Sequence, residues 1–131
     1  MKNKKFTLLM MEFTHLVQGS SLSLDEHQAL LCRFGEVNCR IEDGVRVGLT
    51  NTILIMVALD IECFPSDAAL SINADFSLTS GGYIAKFKSD GYFYVRGMPL
   101  PDHPQGLLKT LSDTVVSANT LRQELKLYVA N

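Results

Sequence analysis

The chain has 131 residues, enough for one domain spanning 1–131, and its 47% hydrophobic and 20% charged content excludes a disordered polymer. A chain of this length buries enough surface to fold without a disulfide or a metal. The formal net charge of −2 argues against nucleic acid as the main partner, because such binding needs a basic face.

The opening MKNKKFTLLMMEFTHL carries a short apolar run, Phe6–Met11, which Glu12 ends without a small-residue cleavage site. The expectation is a cytoplasmic chain with no leader and no membrane insertion. Phe6, Leu9, Met10, Phe13, Leu16 and Val17 recur at helical spacing, which predicts an amphipathic first helix stopped near Gly19. Ser20–Asp25 reads as a loop.

Strands follow. Ala29–Phe34 and Val37–Glu42 alternate apolar and polar residues across a short turn at Gly35-Glu36, the period of a half-buried strand. Asp43-Gly44 is a turn signal. Leu49–Ile61 reads as a long third strand, and an antiparallel meander is the simplest order for the three. Ile53, Ile55, Val57 and Leu59 point one way, and Leu54, Met56 and Ala58 the other, so both faces are apolar. Two readings stay open for the second face: cover from within the chain, or a partner's apolar side chains.

Pro65-Ser66-Asp67 opens a second helix, about Asp67–Leu78, with Ser66 as its N-cap. Its apolar residues spread over more than one side, which fits either deep burial or a subunit interface. Ser80-Gly81-Gly82 ends it. No Gly-Lys-Ser/Thr follows the glycine pair, so it is not a phosphate loop. Tyr83–Lys88 and Tyr92–Met98 flank Ser89-Asp90-Gly91, a strong hairpin signal. Pro99, Pro101 and Pro104 stop the sheet, and Gln105–Val129 reads as the last helix. The fold class is therefore α+β with a twisted, mainly antiparallel sheet.

Chemistry-bearing residues are scattered. Cys32, Cys39 and Cys63 form no Cys-x-x-Cys pair and read as buried reduced thiols. Two of them could pair across neighbouring strands, which a cytosolic setting disfavours. His15, His27 and His103 lack ligand spacing, so no metal or other cofactor is expected. No Gly-x-Ser-x-Gly elbow occurs. Glu36, Glu42, Asp43, Asp60 and Glu62 read as solvent-facing charges. The expectation is a binding protein and not an enzyme; a small metabolite-binding domain or enzyme is the less favoured alternative.

The stretch Asp67–Met98, DAALSINADFSLTSGGYIAKFKSDGYFYVRGM, resembles one segment of the class I type III secretion chaperones, the group that includes the chaperone of the translocated intimin receptor. The shared pattern is a short helix with an Asn/Ala-rich end, a Gly-Gly pair and a hairpin. PLPDHPQGLLKTLSDTVVSANTLRQEL is similar to the family's ending, and the first helix with SLSLDEHQALLCRF matches in pattern. The likeness runs from about Phe6 to Leu125.

The resemblance implies an α-β-β-β-α-β-β-α fold and a homodimer. It further implies a chaperone that binds the N-terminal region of a secreted effector in extended form, keeping it soluble and secretion-competent. On this sequence it places the dimer interface at Leu70, Asn73, Phe76 and Leu78. It places partner contacts at Leu31, Leu54 and Met56 on the sheet, and at Phe6, Leu9 and Phe13 on the first helix. Core packing is the competing reading for those three helix residues. Segment 44–51, GVRVGLTN, carries no acid, which shifts the expected contact toward apolar anchors. A regulatory or structural protein of the same fold, with another partner, is the alternative.

Overall fold

The computed structural model describes residues 4–17, 24–25, 29–34, 36–61, 65–87 and 91–129. The sequence readings on Gly19, His27, Gly35, Glu62, Cys63 and Ser89-Asp90 lie outside these residues. Helix α1 (Lys4–Leu16) precedes β1 (Leu30–Phe34), β2 (Val37–Asp43), a 3-10 turn at Gly44–Val47, and β3 (Thr52–Ala58). Helices α2 (Ser66–Asn73) and α3 (Phe76–Thr79) lead to β4 (Tyr83–Phe87), β5 (Gly91–Pro99) and the long α4 (Pro104–Val129).

All strand pairs are antiparallel, in the order β1-β2-β3-β5-β4. The first three strands form the expected meander. The fourth does not continue it: β5 lies between β3 and β4, so β3 and β4 run the same way on either side of it. The α2–α3 connection is what carries the chain to that outer edge.

Period-2 alternation gives the sheet two different faces. On one, Cys32, Cys39, Val57, Tyr94 and Ile84 form a row, and Leu30, Ile41, Ile55 and Arg96 another. This face meets α1 and α4 through Phe6, Leu9, Met10 and Phe13, and through Leu107, Leu111, Leu121 and Leu125. Residues Ile53–Leu59 are all buried, as the doubly apolar pattern requires. Each large side chain among them contributes about 1.5–3 kcal/mol of burial. Arg122 of α4 pins the end of that strand, donating from Nη2 to the Ala58 carbonyl at 2.7 Å and from Nε to the Leu59 carbonyl at 3.1 Å.

Three local readings need correction. Ser66 is the first helical residue and not the cap; Pro65, fixed in an extended conformation, holds the cap position without a side-chain bond. The helix expected over Asp67–Leu78 breaks at Ala74-Asp75. Asp75 is extended, and its carboxylate accepts from the Ser77 N–H at 3.0 Å, which caps a separate α3. Glu42 is not solvent-facing: it is 2% exposed and held by Arg40 Nε at 3.1 Å and Arg46 Nη1 at 3.6 Å.

Candidate partner-binding surfaces

The face turned away from α1 and α4 carries a second, smaller apolar cluster. Leu54, Met56 and Val95 are its buried members, with Ala85 and Phe93 packed beside them. All five come from the sheet. The cross-strand row through it reads Leu31, Arg40, Met56, Val95, Tyr83, and the adjacent row reads Glu42, Leu54, Gly97.

Leu54 and Met56 are each 2% exposed, so they lie beneath their neighbours on this face. Leu31, at the β1 end of the row, is 58% exposed, and Tyr83, at the β4 end, is 43% exposed. Leu31 and Tyr83 are thus the exposed ends of this row.

The charges on the same face are organised and not scattered. Arg40 Nη1 reaches Asp25 at 2.5 Å while its Nε holds Glu42. The planar guanidinium thus bridges two carboxylates, which a lysine ammonium would do with less directional control. Burial, and then the Glu42 charge, push the Tyr83 phenol above its ordinary pKa. The rim therefore combines a fixed ion cluster on β2 with a neutral tyrosine on β4.

The two sheet edges differ. The β4 edge is occupied at Ile84 by the Asn73 carboxamide. Among the described residues, β1 pairs on its outer side only through an isolated bridge, Leu24 to Leu30.

The positions implied for the dimer interface fall into two groups. Leu70 and Phe76 are 68% and 77% exposed, an unusual state for large apolar side chains on adjoining helices. Asn73 and Leu78 are half-buried: Asn73 binds the β4 backbone, and Leu78 packs on the main core. The first-helix positions Phe6, Leu9 and Phe13 are buried in the core at 1%, 3% and 3% exposure. The apolar residues that α1 presents outward are Leu8, Met11 and Leu16, and Val17 just beyond it is exposed too, so the last two members of the expected stripe leave the core. Between α1 and the chain leaving β5 lies an open groove of about 290 Å³, whose lining includes Lys5, Leu8, Leu9, Glu12, Leu100 and Asp102, so Leu9 reaches it from the edge of the core. It joins an apolar floor to a rim of both charge signs.

Among the described residues, no three His, Cys, Asp or Glu side chains converge as a metal site would require. His15 and His103 are exposed and far apart in the chain. No described helix is long and apolar enough to cross a membrane.

No protein-family model matches the sequence, and no curated protein matches it either. Solved structures do match the fold. The structure of the HopA1-SchA chaperone-effector complex contains a chain that aligns over 90% of this one and 93% of its own length, at TM-score 0.67 and 15% identity. A chain of the ExsC-ExsE complex aligns over 95% and 97%, at TM-score 0.69 and 16% identity. A chain in the structure of the Yersinia pestis type III secretion chaperone SycH with a stable fragment of YscM2 aligns over 88% and 98%, at TM-score 0.61 and 16% identity. The α+β architecture with its five-stranded antiparallel sheet is thus the secretion-chaperone fold.

Proposed function

We propose that this protein is a type III secretion chaperone. It binds the N-terminal region of a secreted effector as an extended chain and keeps it soluble and competent for export. The observation that carries this reading is the fold, shared along almost the whole chain with proteins solved in complex with their partners. Fold alone does not decide function. The surface supplies the second argument: apolar side chains stand exposed on α1, on the β1 edge, and on α2–α3.

The exposed residues divide into two tasks. Leu70 and Phe76 serve a homodimer, because large apolar residues on short adjoining helices offer one compact, self-complementary patch. Leu31 and the groove beside Leu8 serve the effector. An extended segment adds main chain to main chain along β1, and apolar anchors fill the groove. Ordering a flexible partner costs free energy, so contacts spread over several patches suit the task better than one deep pocket. The protein works in the bacterial cytoplasm, as a binding protein without catalysis or cofactor.

The test is size determination together with affinity capture from the native host. The unmodified protein runs as a dimer and retains a secreted protein. Phe76→Asp breaks the dimer. Leu31→Glu keeps the dimer and loses the partner. A monomer that retains no secreted protein would overturn the reading.

A further inference from the structure

The edge hairpin places two cysteines directly opposite one another. Cys32 on β1 and Cys39 on β2 are register partners, and both are free thiols. Opposed residues of an antiparallel pair have Cα atoms about 4.5–5.5 Å apart. That span lies inside the window of about 4.4–6.8 Å that disulfides occupy. Both side chains point to the same face of the sheet, so the bond needs side-chain rotation and no strand shift.

We infer that Cys32 and Cys39 form a site of reversible oxidation, closed to a cross-strand disulfide by exchange with a low-molecular-weight disulfide such as oxidised glutathione. The two thiols have different roles. Cys32 is half-buried on the outermost strand at the margin of the main core, whereas Cys39 is 3% exposed. The Cys39 thiol donates to the Val37 carbonyl at 3.7 Å. Interaction with Cys39 lowers the Cys32 pKa against the opposing effect of burial. Interaction with Cys32, together with burial, raises the Cys39 pKa. The more exposed Cys32 is the attacking thiol and the buried Cys39 the resolving one.

The exchange balances in two steps. The Cys32 thiolate attacks one sulfur of the small disulfide, forming a mixed disulfide and expelling a thiolate that takes up a proton. Cys39 then loses its proton and attacks the Cys32 Sγ, expelling the second small thiolate. Two protein thiols are oxidised, and one small disulfide is reduced to two thiols. The product staples the hairpin at the sheet edge, and a reducing thiol reopens it.

The experiment equilibrates the full chain in glutathione buffers of rising oxidised fraction, quenches with an alkylating reagent, and maps tryptic peptides by mass spectrometry. Trypsin cuts after Arg33 and Arg40, so the two cysteines leave on separate peptides that only a disulfide joins. The expected result is a Cys32–Cys39 linked pair within one chain, retained in Cys63→Ser and lost on adding dithiothreitol. Cys39→Ser accumulates a glutathione adduct at Cys32, and Cys32→Ser leaves Cys39 unmodified. Free thiols throughout, stable glutathione adducts on the unmodified chain, or linkage to Cys63 or to a second chain would overturn the inference. The unmodified chain decides the matter by itself, so a serine variant that fails to fold does not rescue it.

Discussion

Asn73 and Ile84 form a bridge in which a side chain takes the place of a strand. The Ile84 N–H donates to Asn73 Oδ1 at 2.6 Å, and Asn73 Nδ2 donates to the Ile84 carbonyl at 3.0 Å. One carboxamide thus satisfies both outward backbone groups of an edge residue and ties α2 to β4. Asparagine alone offers this donor and acceptor at this reach; aspartate keeps only the acceptor. Asn73→Ala leaves two part-buried groups without these bonds and costs about 1–3 kcal/mol. Asn73→Asp is no better, because a carboxylate then faces the Ile84 carbonyl. Denaturant unfolding of the three proteins checks this; an Asn73→Asp variant as stable as the parent would contradict it.

A second prediction concerns Gly82 and Tyr94. A Cβ at Gly82 would stand 2.5 Å from the Tyr94 ring and 2.6 Å from the Val95 carbonyl. Tyr94 cannot retreat: it is fully buried, its hydroxyl donates to the Thr79 carbonyl, and Arg96 Nη2 donates to that hydroxyl at 2.8 Å. Gly82→Ala therefore costs about 1–3 kcal/mol through overpacking. Tyr94→Phe removes the clamp at the cost of about 0.5–1.5 kcal/mol. The sites share a contact, so the double variant departs from additivity, which a double-mutant cycle measures.

Arg40 carries the third. Removing its guanidinium takes partners from Asp25 and from the buried Glu42, leaving Glu42 with Arg46 alone among the described ion pairs. Arg40→Ala costs about 1–3 kcal/mol. Replacing Glu42 by Gln in that background recovers part of the loss, because a neutral amide is cheaper to bury than a carboxylate. Thermal unfolding of the single and double variants decides; no recovery would mean that Arg40 acts by packing alone.

What the sequence made legible follows from range. The helices and strands announce themselves through local periodicity, as Phe6-Leu9-Phe13 and Val37-Cys39-Ile41 do. The insertion of β5 between β3 and β4 was hidden, because strand order is a property of long-range pairing. Alternation along β2 points Glu42 outward, and it does face away from the main core. Its burial arises from Arg40 and Arg46 closing over it, and no spacing rule shows that. The break at Asp75 was visible in principle: an aspartate two residues before a serine is capping chemistry. On α1 the split between buried Phe6, Leu9 and Phe13 and exposed Leu8 and Met11 follows from the helical period.

Asp75 supplies a prediction in pH. The Ser77 hydroxyl donates to its Oδ1 at 2.5 Å, and with the Ser77 and Leu78 backbone N–H groups it outweighs desolvation, holding the carboxyl below its ordinary pKa. A group whose folded pKa is depressed stabilises the fold above its unfolded value, and that contribution fades as pH falls through the folded value. The α3 cap therefore weakens as pH falls below the ordinary carboxylate range. An NMR titration of the Asp75 carboxyl should give a midpoint below that of an unstructured aspartate, and Ser77→Ala should move it upward. A midpoint unchanged by Ser77→Ala would remove the hydroxyl from the account.

The central claim is that the exposed apolar surfaces hold an extended segment of a secreted protein. Its most direct measurement is protease protection of the complex captured from the native host, with the protected partner fragment identified by mass spectrometry. The account predicts a dimer of this chain bound to one short fragment from the N-terminal region of an exported protein, released by Leu31→Glu. Protection of a folded domain, or of a fragment from a protein that is never exported, would contradict it.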